Sequence, residues 1–136
     1  MDKSQIKNLI EAAIKTRENA YAPYSNFKVG AALLTADGTI FGGCNVENAA
    51  FTPTNCAERT AIFAAIAQGQ KDFTAIAIVG GADKLDNNCY PCGVCRQVLT
   101  EFCPPDFPII TAQSPENYQL QTLSNLLPNS FGSENL

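Results

Sequence analysis

The chain of 136 residues contains no histidine and no tryptophan. Without histidine there can be no Ser-His-Asp triad, no Cys-His nucleophile pair, no H-E-x-x-H metal site and no two-Cys, two-His zinc finger. Any general acid or base must therefore be Glu, Asp, Lys, Tyr or Cys. Positive charge is also scarce: nine Lys and Arg stand against 13 Asp and Glu, a net charge of −4. The cations are scattered, so the basic face that nucleic acid requires is missing and no nucleic-acid partner is expected. No apolar run approaches the roughly 20 residues of a membrane span, so no membrane partner is expected either. The opening residues, Met1-Asp2-Lys3-Ser4-Gln5, lack the apolar stretch of a secretory signal. A cytoplasmic location is the resulting expectation. The six cysteines are then read as thiols, metal ligands or redox groups rather than as disulfides.

An apolar fraction of 46% against 16% charged residues is enough for one well-filled core, and residues 1–136 are read as a single domain. Ile6, Leu9, Ile10, Ala13 and Ile14 fall on one helical face, with Ser4 as the expected N-cap and a stop before Tyr21-Ala22-Pro23. Phe27 to Leu34 reads as a strand, Asp37-Gly38 as a hairpin turn, and Thr39 to Asn45 as the return strand. After an irregular polar stretch, Cys56 to Gln68 has high helix propensity, with Thr54 or Asn55 as a possible cap and Gly69 as the stop. Thr74 to Gly80 is a continuous apolar, β-branched run that fits a buried strand. A second short helix spans Cys92 to Phe102 and ends at Pro104-Pro105, and Phe107 to Ala112 is another strand. Tyr118 to Leu123 is ambiguous, and Leu123 to Leu127 reads as a last helical turn. The resulting order, α-β-β-α-β-α-β, implies right-handed crossovers and an α/β sandwich with helices on both faces of a mixed sheet.

Two cysteine motifs open the two later helices: Cys56-Ala57-Glu58 and Pro91-Cys92-Gly93-Val94-Cys95. Helix N-termini offer free N–H groups and the positive end of the dipole, and both stabilise thiolates. Three such sulfurs match the three protein ligands of a catalytic zinc site, which keeps its fourth position for water. Glu58, two residues from Cys56, is suited to move protons beside that water. Two blander readings stay open. Cys92-x-x-Cys95 could be a thioredoxin-type dithiol, and Cys89 with Cys56, Cys92 and Cys95 could close a purely structural four-cysteine zinc site. Cys44 and Cys103 are read as small buried hydrophobes.

The paired motifs resemble the three-cysteine signature of the zinc nucleoside deaminases, an enzyme class with well-described zinc chemistry. The chain is similar to the small cytidine deaminases through most of its length. The similarity includes Ala22-Pro23-Tyr24-Ser25-Asn26-Phe27-Lys28-Val29-Gly30, Asn45-Val46-Glu47-Asn48-Ala49, Leu126-Leu127-Pro128 and Phe131-Gly132. The resemblance implies a three-layer α/β/α sandwich on a mixed five-stranded sheet, one Zn²⁺ per chain held by Cys56, Cys92 and Cys95, and a homotetramer with shared active sites. It implies hydrolytic deamination of cytidine and 2′-deoxycytidine to the uridines and ammonia in pyrimidine salvage. In that chemistry zinc-activated water attacks C4 while Glu58 shuttles protons to N3 and to the leaving amine.

The resemblance also assigns the substrate contacts. Asn45 and Glu47 would bind the ribose, Phe27 would wall the base pocket, and the backbone of Ala57 would meet the base edge. Phe131 would reach over the pyrimidine of a neighbouring subunit. Three thiolates on Zn²⁺ leave the site with a net charge of −1, and Arg59 would draw off part of it, with Arg96 and Gln97 in lesser roles. Phe51, Tyr90 and Val94 depart from the usual Tyr, Ser and Ala. A deaminase of a related cytosine nucleoside antibiotic would share the zinc motifs and is the nearest alternative.

Overall fold

The computed structural model describes residues 1–86 and 88–136. Helix α1 spans Lys3–Arg17, strands β1 and β2 Lys28–Thr35 and Ile40–Cys44, helix α2 Ala57–Ala67 and strand β3 Phe73–Gly81. Helix α3 follows at Gly93–Phe102, strands β4 and β5 at Pro108–Ala112 and Tyr118–Thr122, and the short helix α4 at Leu123–Leu126. The five strands form one sheet in the order β2-β1-β3-β4-β5. All neighbours are antiparallel except β3 and β4, which run parallel across the α3 connection.

Strand alternation sorts the core into two layers. Ala32, Ala75, Ala77, Val79 and Ile110 pack with Ile6, Leu9, Ile10 and Ala13 of α1 on one face. Ala31, Leu33, Ile76, Ile78 and Ile109 pack with Ala61, Ile62 and Leu99 on the other. The expected three-layer sandwich is the observed one. Two contacts fix how closely the helices approach the sheet. A Cβ on Gly30 would lie 2.1 Å from the Ala13 carbonyl oxygen, and one on Gly43 would lie 2.4 Å from both Ala57 O and Ala61 N. Only glycine admits helix backbone at that distance.

Three local expectations are corrected. The N-cap of α1 is Asp2, not Ser4: its carboxylate accepts from Gln5 N–H at 2.8 Å, and the Gln5 side chain accepts from Asp2 N–H at 3.0 Å. The reciprocal pair satisfies two helix-end donors, which one serine inside the first turn cannot do. The cap of α2 is Cys56 itself, and not Thr54 or Asn55. The ambiguous Tyr118–Thr122 stretch is the edge strand β5, paired from Pro108↔Thr122 to Ala112↔Tyr118.

Candidate active site

Both later helices begin at a cysteine. Cys56 caps α2 and Cys92 caps α3, each in extended backbone and neither making a side-chain cap bond. The sulfurs are therefore left for another purpose. The ligand atoms of Cys56, Cys92 and Cys95 all lie within 4.8 Å of one another. Cys56 and Cys92 Sγ are 3.6 Å apart, while tetrahedral Zn–S bonds of about 2.3 Å put paired sulfurs about 3.8 Å apart. All six cysteines are free thiols.

Cys89 stands outside this cluster. Its sulfur packs against Gly80, where an added Cβ would meet it at 2.7 Å. The four-cysteine structural site is thus not the arrangement found. The donor set that is found, three sulfurs at two helix N-termini, fits a zinc ion with a ligand position to spare.

The electrostatics are those of an anionic cluster with one guanidinium. Arg59 Nη2 donates to Cys56 Sγ at 3.3 Å. The hydrogen bond from Cys95, assisted by Arg59 and Cys92, holds the Cys56 thiol down to about 5 against the opposing effect of burial. Cys95 is pushed up by the same shared proton and by its burial. Arg59 Nε is buried with no hydrogen-bond partner among the described residues. Glu58 is 3% exposed. Burial, with a smaller push from Cys56, raises its carboxyl to about 7. A dication among the sulfurs would oppose that rise.

A cavity of about 160 Å³ opens beside the cluster, lined by Asn45, Cys56, Ala57, Glu58, Tyr90 and Cys92 among others. Ala57 itself is fully buried. Asn45 does more than line the wall: Nδ2 donates to Phe27 O and Oδ1 accepts from Val29 N–H, both at 2.8 Å. Glu47 lies in an adjoining hollow with Tyr24, Ser25 and Phe51, and Thr54 borders both spaces. Its carboxylate accepts from Tyr24 N–H at 2.9 Å, from Ser25 N–H at 3.2 Å and from the Ser25 hydroxyl. The Ser25 bond is the main reason its pKa lies below the ordinary carboxylate value. The Phe27 ring reaches Gly80, where Cys89 also packs.

Arg96 and Gln97 sit elsewhere than the sulfurs. Arg96 donates to Pro91 O at 2.7 Å and to Leu126 O at 2.6 Å, and Gln97 donates to Phe131 O at 2.9 Å. Through these bonds both tie residues 126 and 131 to α3. Phe131 itself is 58% exposed. Tyr90, a departure that sequence reasoning connects with the edge of the pocket, lines the cavity together with Cys89, to which it gave no place there. Their nearness to Pro91-Cys92 was the available signal.

Comparison with known proteins agrees with this arrangement. Residues 3–111 match the family model of the cytidine and deoxycytidylate deaminase zinc-binding region. A cytidine deaminase from Sporosarcina psychrophila is 46% identical over 131 residues, covering 96% of this chain and 94% of that protein. The crystal structure of cytidine deaminase from Burkholderia pseudomallei is 49% identical and superposes with a TM-score of 0.83, covering 91% of this chain and 97% of that one. A blasticidin-S deaminase from Bacillus cereus matches more narrowly, at 37% over 87 residues and 60% of this chain. The chain belongs to the cytidine and deoxycytidylate deaminase family and carries that family's zinc-binding region.

Proposed function

We propose that the chain is a zinc-dependent cytidine deaminase, converting cytidine and 2′-deoxycytidine with water to uridine, 2′-deoxyuridine and ammonia. The observation that carries this reading is the buried Glu58 beside three convergent sulfurs at the wall of one cavity. Cys56, Cys92 and Cys95 would hold the ion. Zinc bound there supplies Lewis acidity, lowering the pKa of a coordinated water from about 15.7 toward about 7.

Glu58 performs the proton transfers. Its carboxylate takes a proton from the attacking water and gives it to N3 of the base. It then takes the remaining proton of that water from the hydroxyl now on C4 and delivers it to the C4 amine, so that the C4 carbonyl forms, the C4–N bond breaks, one water is consumed and one ammonia leaves. Exclusion of water by the surrounding wall keeps that carboxylate from being levelled by solvent. Arg59 withdraws charge from Cys56 and keeps the sulfur cluster a weaker donor to the metal. Asn45 and Glu47 position the ribose. Each already holds backbone of the 24–29 segment, so the sugar meets groups that are fixed before it arrives. Phe27 and the Ala57 backbone bound the base.

The working form is a cytoplasmic homotetramer in pyrimidine salvage, with Phe131 of one copy covering the base bound to another. Supporting this, the Phe131 side chain is exposed while its backbone is held by Gln97, an arrangement that anchors the chain and leaves the ring open to a neighbour. The test is loss of the ultraviolet absorbance of cytidine on addition of purified protein. Turnover that stops with a chelator and returns with Zn²⁺ is expected, and a metal-loaded protein that leaves cytidine unchanged would refute the reading.

A further inference from the structure

We infer that Tyr90 and Gln119 form a positioning pair through which the edge strand β5 sets the grip of the cavity on its ligand. The inference rests on the nucleoside reading above and adds to it a residue pair from outside the cysteine motifs.

The connection from β3 to α3 carries Cys89, Tyr90 and Cys92, and all three line the cavity. The shape of that wall therefore depends on what holds the connection in place. Among the described residues, two side-chain hydrogen bonds reach it at Tyr90 and Pro91. The Tyr90 hydroxyl donates to Gln119 Oε1 at 2.7 Å, and Arg96 Nε donates to Pro91 O at 2.7 Å. Gln119 is in turn fixed: it pairs across the sheet with Thr111 of β4, and its amide oxygen also accepts from Gln121 Nε2 at 3.4 Å.

Tyr90 remains 43% exposed. A ring that far out contributes little to the core, and free in water it would sample several rotamers. Tethered by its hydroxyl to a sheet strand, it stays as one preformed edge of the cavity, and a ligand need not order it on binding. The tether also ends two residues before Cys92, which caps α3. A wall held in this way acts on substrate and product alike, so its effect belongs in binding rather than in the chemical step.

The test compares Tyr90→Phe, Gln119→Leu, the double variant and Gln119→Glu in zinc-loaded protein. The measurements are kcat and KM for cytidine, uridine affinity by calorimetry, metal content and melting temperature. Each single variant is expected to raise KM and the uridine Kd about fivefold, the size of one hydrogen bond lost, with kcat within about twofold and metal content unchanged. The double variant should be no worse than either single one, because both remove the same bond. Gln119→Glu keeps an acceptor at the same reach and should retain wild-type KM.

Unchanged KM and Kd in the single variants would overturn the inference, as would multiplicative losses in the double variant or losses that track melting temperature or metal. A wild type that neither converts cytidine nor binds uridine overturns the nucleoside reading and the inference with it. A wild type that does both, with variants that match it, overturns only the pair.

Discussion

The three long helices start in two different ways. Helix α1 has a reciprocal cap, in which Asp2 and Gln5 satisfy each other's backbone donors. Helices α2 and α3 start at Cys56 and Cys92, whose side chains make no cap bond. A capping side chain is typically worth about 1 kcal/mol. The two helices on the cavity face forgo that stabilisation, and their first turns keep N–H groups and dipole ends facing the sulfurs. Helix α1 lies on the opposite face of the sheet and carries none of the site residues named above. The same structural unit, a helix N-terminus on a sheet, is thus used once as an anchor and twice as an anion-holding device.

Substitutions can separate the two uses, and the largest effect is expected at Glu58, the proposed proton shuttle. Glu58→Gln should lower turnover by about 10²- to 10⁴-fold while metal content and melting temperature hold. Normal deamination by that variant would remove Glu58 from the chemistry. Next come the cysteine caps. Cys56→Ser and Cys92→Ser replace a ligand with a good capping residue. Bound zinc should fall from about one per chain to near zero, while the metal-free variant melts no lower than metal-free wild type, or higher by up to about 1 kcal/mol. Retention of zinc with a single cap serine in place would contradict the three-sulfur site.

The reverse result is expected at α1. Asp2→Ala should cost about 1 kcal/mol in chemical denaturation and leave kcat, KM and zinc unchanged. A loss of activity there would blur the division between the faces.

The smallest effect is a pH dependence far from the site. At the β1–β2 turn, Asp37 accepts from the Thr35 hydroxyl at 2.5 Å, from Thr39 N–H at 3.1 Å and from Gln70 at 3.0 Å. Led by the Thr35 bond, these contacts hold its carboxyl down to about 2 from 3.8. A carboxyl lowered on folding stabilises the protein above its unfolded pKa, and that contribution is lost as pH falls from about 4 toward about 2. Asp37→Asn should flatten the melting-temperature profile slightly in that window. An unchanged profile would show that the turn does not depend on this charge.

What could be read from the sequence was whatever is local in the chain. Cys92 and Cys95 are three residues apart, about one helical turn, and Cys56 and Glu58 stand together at the start of α2, so each motif was readable within its own short stretch. The sheet interior was legible because Thr74 to Gly80 is apolar throughout. Strand β5 was not, because Tyr118-Gln119-Leu120-Gln121-Thr122 is a half-exposed edge whose polar residues blur the alternation. Arg96 and Gln97 were expected to have lesser roles beside Arg59 in drawing charge from the thiolates. Their actual partners, Leu126 and Phe131, lie 30 and 34 positions away, and no spacing rule reaches that far. The same holds for Tyr90 and Gln119, 29 positions apart. The cap at Asp2 was missed for a different reason: Ser4 is an equally good capping type, and only the reciprocal bond from Gln5 decides between them.

The glycine of β2 against α2 has a consequence for how sequences of this kind can diverge. With 2.4 Å between its would-be Cβ and the backbone of Ala57 and Ala61, Gly43 works as a depth gauge. Any side chain there would lift the first turn of α2, and Cys56, Ala57 and Glu58 would rise together while Cys92 and Cys95 stayed behind on α3. No single substitution elsewhere restores the registration of two independently mounted halves. A side chain at position 43 would therefore disturb the whole site, whereas a change at Cys89 or Tyr90 recuts one wall of the cavity without moving the halves apart.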